Sequence, residues 1–394
     1  MSRTAIFTLL YASEGAPIGF IWWALPTLLR TADVPVVDIT ALTAILLLPW
    51  VLKFLWAPAI DALRGSRWGY RAWIIAAQVT MAASLVPLIW LDPATEFDAW
   101  RGLLLIHAVA AATQDIAIDA LVIGSVAPQE RGRLNGAMQA GMLVGRSLFG
   151  GGVLLLGTVW GLPGIVAALI AWIIVPLSVV GFLPEPDLPA ARDAQREPMG
   201  RAFREMFALR TTWLGLAFAL TAAAAFEAAG QLAGPFLVDR GVATETIGTF
   251  FGVYVVVATL TGGLVGGWLS DRWGRIRSMA VFVVAIAVVV GVLGVSDLRG
   301  QSSSTILIAQ LVVMYFVVGL FTVTSYALFM DLTHPRLGAT QFTTFMAATN
   351  GCESWSGWAG GQLTALGGYG VAFLAMAAVS LLSGLLLVPI RRRA

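Results

Sequence analysis

The chain has 394 residues, 58% of them hydrophobic and 12% charged, with a net charge of +2 and a mean hydropathy of +0.84, against about 25% charge in an ordinary soluble domain. That composition excludes a water-soluble fold, and the near-neutral balance excludes a nucleic-acid binder built on a basic patch. With one cysteine, Cys352, and two histidines, His107 and His334, neither a disulfide framework nor a zinc or histidine-based catalytic site is expected, and no metal or cofactor.

About 20 apolar residues cross the hydrocarbon core as a helix. In chain order, the apolar runs predict spans at 5–30, 38–60, 71–91, 101–126, 134–157, 162–183, 211–238, 246–269, 278–296, 304–330, 339–364 and 368–390. The first run starts after Arg3 and passes Leu25, too long for a signal peptide, and is expected to remain as a span. Gly15, Pro17, Pro49 and Pro58 interrupt the early spans, as membrane helices tolerate.

Basic residues concentrate in cytoplasmic loops. Eighteen arginines fall on loops of the N-terminal side, and only Arg30, Arg101, Arg240 and Arg299 on the other. This predicts an even number of spans with both termini cytoplasmic. Arginine outnumbers lysine 23 to 1, a bias that suggests a GC-rich bacterial genome and hence the bacterial inner membrane.

Residues 184–210 hold four prolines, five arginines and five acids. They read as a cytoplasmic linker between two six-helix bundles, 1–183 and 211–394, or as an ordinary solvated loop. The expected fold class is an all-α membrane protein of twelve transmembrane helices in two pseudo-symmetric halves.

Gly267-Trp-Leu-Ser-Asp271-Arg272-Trp-Gly-Arg275-Ile-Arg277 resembles the loop motif of the major facilitator superfamily. A weaker copy follows the second span, with Asp61 and Arg64 but without the glycines. These charges act in gating, or simply fix the topology. Pro49 to Pro58, including Lys53, Ala112-Thr-Gln114-Asp115-Ile-Ala-Ile-Asp119-Ala and Ala339-Thr-Gln-Phe342 resemble the AmpG/acetyl-CoA transporter branch, which includes muropeptide permeases and siderophore importers of the FptX/RhtX kind. The resemblance implies secondary transport by alternating access, of a substrate bearing carboxyl or phosphate groups. The chain is shorter than the usual AmpG permease, which favours the siderophore-type members.

Charges inside a membrane are costly and call for a reason. Counting along each helix puts Lys53 and Asp119 about 10 Å deep, Glu14 about 13 Å, Asp115 about 16 Å and Arg146 about 19 Å from the cytoplasmic end. Asp115 and Asp119, four apart, share a helix face with Gln114 beside them, and two adjacent carboxylates resist joint ionisation, a pattern suited to binding a proton. Lys53 with Asp119 reads as a structural pair, Asp115 and Glu14 as proton or substrate groups. In the second half Glu227, Gln231, Asn350 and Glu353 fall about 22 to 24 Å deep. There Glu227 and Glu353, as buried carboxylates, are expected to be neutral at rest, to line water, or to meet a cation or Arg146, with proton coupling the hypothesis that follows.

Arg146 and Glu353 occupy corresponding places in the two halves. Arg146 suits a planar anion or a fixed salt bridge equally. Trp355 is the one tryptophan placed to stack on a ligand. The glycine strings 141, 145, 150–152 and 262, 263, 266, 267 are expected to let helices pack closely.

Together these features predict a monomeric, proton-coupled importer of a polar or anionic organic solute such as a siderophore or muropeptide. Export or antiport of small molecules is the alternative. No Walker loop couples it to ATP. A membrane enzyme would need a nucleophile and base, and a sensor an output domain, and neither is visible.

Overall fold

The computed structural model describes residues 2–62, 68–125, 131–181, 199–300, 303–333 and 338–391. Arg64 lies outside these residues, as does the side chain of Asp61. Among the described residues the regular structure is entirely helical.

Helices long and apolar enough to cross a membrane are α1 (Thr4–Thr31), α2 (Val36–Leu55), α3 (Tyr70–Ile89), α4 (Phe97–Val122), α5 (Gly136–Gly157), α6 (Val159–Val180), α7 (Arg210–Asp239), α8 (Thr244–Trp273), α9 (Arg275–Arg299), α10 (Ser304–Leu332) and the 51-residue Gln341–Arg391. At 1.5 Å per residue the last would run about 76 Å, more than twice the hydrocarbon thickness. Gly368 breaks it, with φ 83, a left-handed value that only glycine adopts freely. Residues 341–367 (α11) and 369–391 (α12) are therefore two spans, which makes twelve among the described residues.

Gly161, at φ 63, makes the same kind of corner at the start of α6. The two corners lie 207 residues apart (368 − 161), which gives the internal repeat a register. In that register Arg146 and Glu353 match, each 15 residues before its corner, as expected from the sequence.

The chain packs as two units. One holds Met1–Val34, Leu48–Gln195 and Ala243–Gly252; the other holds Pro35–Leu47, Arg196–Val242 and Val253–Ala394. Each thus includes a short segment from the opposite half of the sequence. Shifting 35–47 by 207 gives 242–254, so the exchange falls on the same part of the repeat in both.

Since lipid is as apolar as leucine, close packing rather than the hydrophobic effect holds membrane helices together. In the first unit, a side chain on Gly15, Gly141 or Gly145 would collide with the backbone of Met142, Thr8 or Ala12, so α1 and α5 lie backbone against backbone. In the second, Gly262, Gly266 and Gly319 play that part between α8 and α10. Gly152 and Gly267 meet nothing closer than ordinary van der Waals contact. Leu264, Val288 and Leu382 are exposed, as suits a lipid-facing surface.

Three single-turn π-helices interrupt the first unit: Phe20–Ala24, Leu148–Gly152 and Phe250–Tyr254 at its edge. Such bulges widen a helix turn and frequently mark functional sites. Here they converge. Gly150 lies against Trp23, Gly151 against Gly252, and Trp23 stacks on Phe251 with centroids 5.5 Å apart.

Candidate functional site

In the first unit α1, α2 and α4 bring Tyr11, Glu14, Lys53, Asp115 and Asp119 together. The α-helical part of α2 ends at Leu52, and a 3-10 turn, Lys53–Leu55, leads into a short helix, Ala57–Ala62. Pro58 has no backbone N–H to bond the Phe54 carbonyl one turn back, which interrupts the α-helical ladder at this turn. There Lys53 bonds Asp115, and Trp56 Nε1 donates to the Thr113 hydroxyl at 3.1 Å.

Asp119, expected to pair with Lys53, instead accepts the Tyr11 hydroxyl. Because the 3-10 turn changes the rotation per residue, counting along a straight helix misplaces Lys53 by one turn of α4. Glu14 is 2% exposed, with Asp115, Asp119 and Lys53 in its electrostatic surroundings, while its Oε2 has no protein partner. Three carboxyl groups thus gather around one ammonium, whose side chain is 27% exposed. Gln114, next to Asp115, is fully buried, and neither end of its amide meets a protein partner.

Arg146 does not join this cluster. Its guanidinium lies 4.6 Å over the Trp23 ring, and its buried Nε has no protein partner. The neighbouring Ser147 donates its hydroxyl to the Gly252 carbonyl.

In the second unit the candidates are largely engaged. Gln231 donates its amide to the Glu353 backbone carbonyl and accepts the Thr43 hydroxyl, both at 2.8 Å. Trp355 donates its indole N–H to the Leu220 carbonyl at 2.8 Å. Ser354 donates to the Ala44 carbonyl at 2.9 Å, one position beyond Glu353 as Ser147 is one beyond Arg146. Glu227, Asn350 and Glu353 are half-buried rather than buried, so the expectation of fully enclosed acids in this half does not hold. Both acids have Cys352 in their electrostatic surroundings.

In the loop motif, Arg275 bonds Asp331 on α10 and donates to the Ala327 carbonyl at 3.2 Å. Arg272 lies 5.5 Å over the Trp268 ring, and Asp271 is exposed. Tyr11, Trp23, Thr43 and Asp331 are site or loop residues that the sequence reading did not pick out. Tyr11 had a signal, being three residues from Glu14 on one face of α1; Asp331 had another, as the acid at the C-terminal end of the second span after the motif.

Twelve membrane crossings in a repeated arrangement, with polar and charged side chains held inside the bundle of helices, define a polytopic membrane transporter. A model of the Major Facilitator Superfamily matches residues 7–357, and the chain belongs to that superfamily of secondary transporters. Over 300 residues it is 26% identical to the anhydromuropeptide permease of Escherichia coli K12, an alignment covering 71% of this chain and 58% of the permease, so the chain spans less than two thirds of that relative. Among solved structures, a nucleoside transporter superposes with a TM-score of 0.80 at 12% identity, over 99% of this chain and 100% of its own. A D-xylose-proton symporter does so with 0.76 at 14%, over 98% and 96%. Identities that low establish the fold and leave the substrate to the site.

Proposed function

We propose that this transporter couples proton entry to the import of an anionic organic solute, of the muropeptide or siderophore type, across the bacterial inner membrane with both termini cytoplasmic. The observation that carries the reading is the gathering of Asp115, Asp119 and the buried Glu14 around Lys53, with the Glu14 Oε2 left without a protein partner. One ammonium neutralises only one of the carboxylates gathered around it, so a second, buried one is arranged to take up a proton. Loss of that proton would leave like charges close together, so proton binding and the packing of α1 against α4 are linked. Asp119, held by Tyr11, is placed to steady the cluster. Glu227 and Glu353 are secondary proton candidates, and Asn350 a substrate contact.

Arg146 supports the anionic substrate. It presents a planar cation on an aromatic face with a hydrogen-bond donor not committed to protein, the chemistry that a carboxylate requires. The similarity to an anhydromuropeptide permease points to a substrate that carries such groups.

A proteoliposome panel of anhydromuropeptides and ferric siderophores, each with and without an inward proton gradient, tests the reading. Gradient-stimulated uptake of at least one class is expected, with Glu14→Gln abolishing the stimulation while leaving solute exchange at equilibrium. Arg146→Lys is expected to weaken solute binding by about tenfold, or about 1.4 kcal/mol. Uptake indifferent to the gradient, or a Glu14→Gln variant with unaltered stimulation, would remove proton coupling; unchanged binding in Arg146→Lys would remove its role in recognition.

A further inference from the structure

The pairing of α3 with α4 buries a line of polar side chains that the acidic cluster does not use. Ile74, Gln78, Met81 and Leu85 share one face of α3, and His107, Ala111, Gln114 and Ile118 one face of α4; all eight are buried. The two faces meet where His107 Nδ1 lies 3.1 Å from the Met81 carbonyl, which also accepts the Ser84 hydroxyl at 2.9 Å.

A carbonyl oxygen only accepts. Nδ1 therefore carries the ring hydrogen in the neutral imidazole, and Nε2 presents a lone pair. That Nε2, both amide atoms of Gln78 and both of Gln114 have no protein partner, and all three residues are at most 1% exposed. Consecutive spans run in opposite directions. One turn back along α3 from Met81 reaches Gln78, at a level between His107 and Gln114, and Gln114 adjoins Asp115. The polar atoms thus follow one another at roughly one-turn steps of about 5 Å, ending at the Glu14–Asp115 pair.

Buried polar atoms left without partners are rare, and ordered water is what ordinarily meets them. We propose that the α3–α4 seam holds a chain of buried water running from His107 to the Glu14–Asp115 pair, over which a proton released by that pair is shared and from which it returns. Each water passes on one proton as it receives another, so no other reactant is consumed. His107 Nε2 anchors the far end by accepting a hydrogen from the last water, and the two glutamines hold the waters between as donor and acceptor at once. The nearby surface groove of about 450 Å³ is a different feature. It is lined by Trp73, Thr80, Ile106, Val109 and Thr113 among others, on the exposed sides of the same two helices, and none of the three seam residues lines it.

The inference rests on the proton-coupling reading, and its test separates the two. The chain has only two histidines, so His334→Gln with ¹⁵N-histidine leaves a single label at His107. In phosphatidylethanolamine–phosphatidylglycerol vesicles, water-edited solid-state NMR is expected to transfer magnetisation from water to His107 Nε2. In the Gln78→Leu/Gln114→Leu variant that transfer should fall by about threefold or more, since the leucines give water nothing to bond. A dry His107 in the unsubstituted seam overturns the proposal, as does transfer that survives both leucines, and neither result touches gradient-driven uptake. A wet seam with uptake indifferent to the gradient removes the proton-sharing role by removing the coupling itself.

Discussion

Gln114 and Gln231 are the same side chain in two settings. Gln231, in the second unit, has both ends of its amide bonded, to Thr43 and to the Glu353 carbonyl, and ties α2, α7 and α11 together. Gln114, in the first, is as deeply buried and bonded at neither end. A buried amide that the protein itself satisfies fixes structure, whereas one it leaves open is there for water or solute. The contrast extends to the matched pair of the repeat. The residue after Arg146 and the residue after Glu353 each donate a serine hydroxyl to a backbone carbonyl, yet Arg146 keeps a buried donor open while the Trp355 indole beside Glu353 is tied to Leu220. One frame, used twice, leaves buried polar groups open in the first unit and ties them down in the second.

The frame itself is the place to look for the largest effect. Gly145→Val drives a branched side chain into the Ala12 carbonyl, and Gly319→Val does the same to the Thr259 carbonyl in the second unit. Helix backbones in such contact have no room to give, so each should cost about 3 kcal/mol or more and yield aggregated protein on size-exclusion chromatography in detergent. A monodisperse, thermally unaltered Gly145→Val protein would mean that α1 and α5 are not fastened as α8 and α10 are.

Next in size is Lys53→Met, which takes the only ammonium from the acidic cluster. Breaking a buried ion pair on one side costs about 3 to 5 kcal/mol. With a quarter of the Lys53 side chain exposed, the expected loss is about 2 kcal/mol, seen as a lower thermal midpoint in detergent. Lys53→Met/Asp115→Leu should recover most of it. If the double variant is no more stable than the single, the pair does not hold α2 to α4.

Much of this architecture was legible in the residues. Apolar runs punctuated by arginine mark all twelve spans because the bilayer admits one helix length, and the predicted gap between 364 and 368 falls beside the Gly368 corner. The match of Arg146 with Glu353 follows from counting residues, each being 15 before its corner. Counting fails where the helix changes its twist: the 3-10 turn at Lys53 moves the ammonium from Asp119 to Asp115, and no composition rule announces that turn. Reading for charge also passes over neutral partners. Tyr11, Thr43 and Trp23 each fix a candidate group by a hydrogen bond or a ring face, and none carries a charge to flag it. The exchange of 35–47 for 243–252 between units is tertiary packing, invisible in hydropathy.

The smallest expected effect is the one that bears most directly on the two glutamines. Gln231→Leu removes two hydrogen bonds, the one accepted from the Thr43 hydroxyl, which keeps the Thr40 carbonyl at 3.1 Å, and the one donated to the Glu353 carbonyl, at about 0.5 to 1.5 kcal/mol each. Gln114→Leu strands no protein group, and it replaces a buried amide by an apolar side chain of similar volume, so its change should stay within about 1 kcal/mol of zero. Thermal melts of the two variants in the same detergent compare them directly, with Gln231→Leu melting several degrees lower. Equal destabilisation would mean that the first unit relies on Gln114 for its fold as the second relies on Gln231, and the division between a fastening amide and an open one would fall with it.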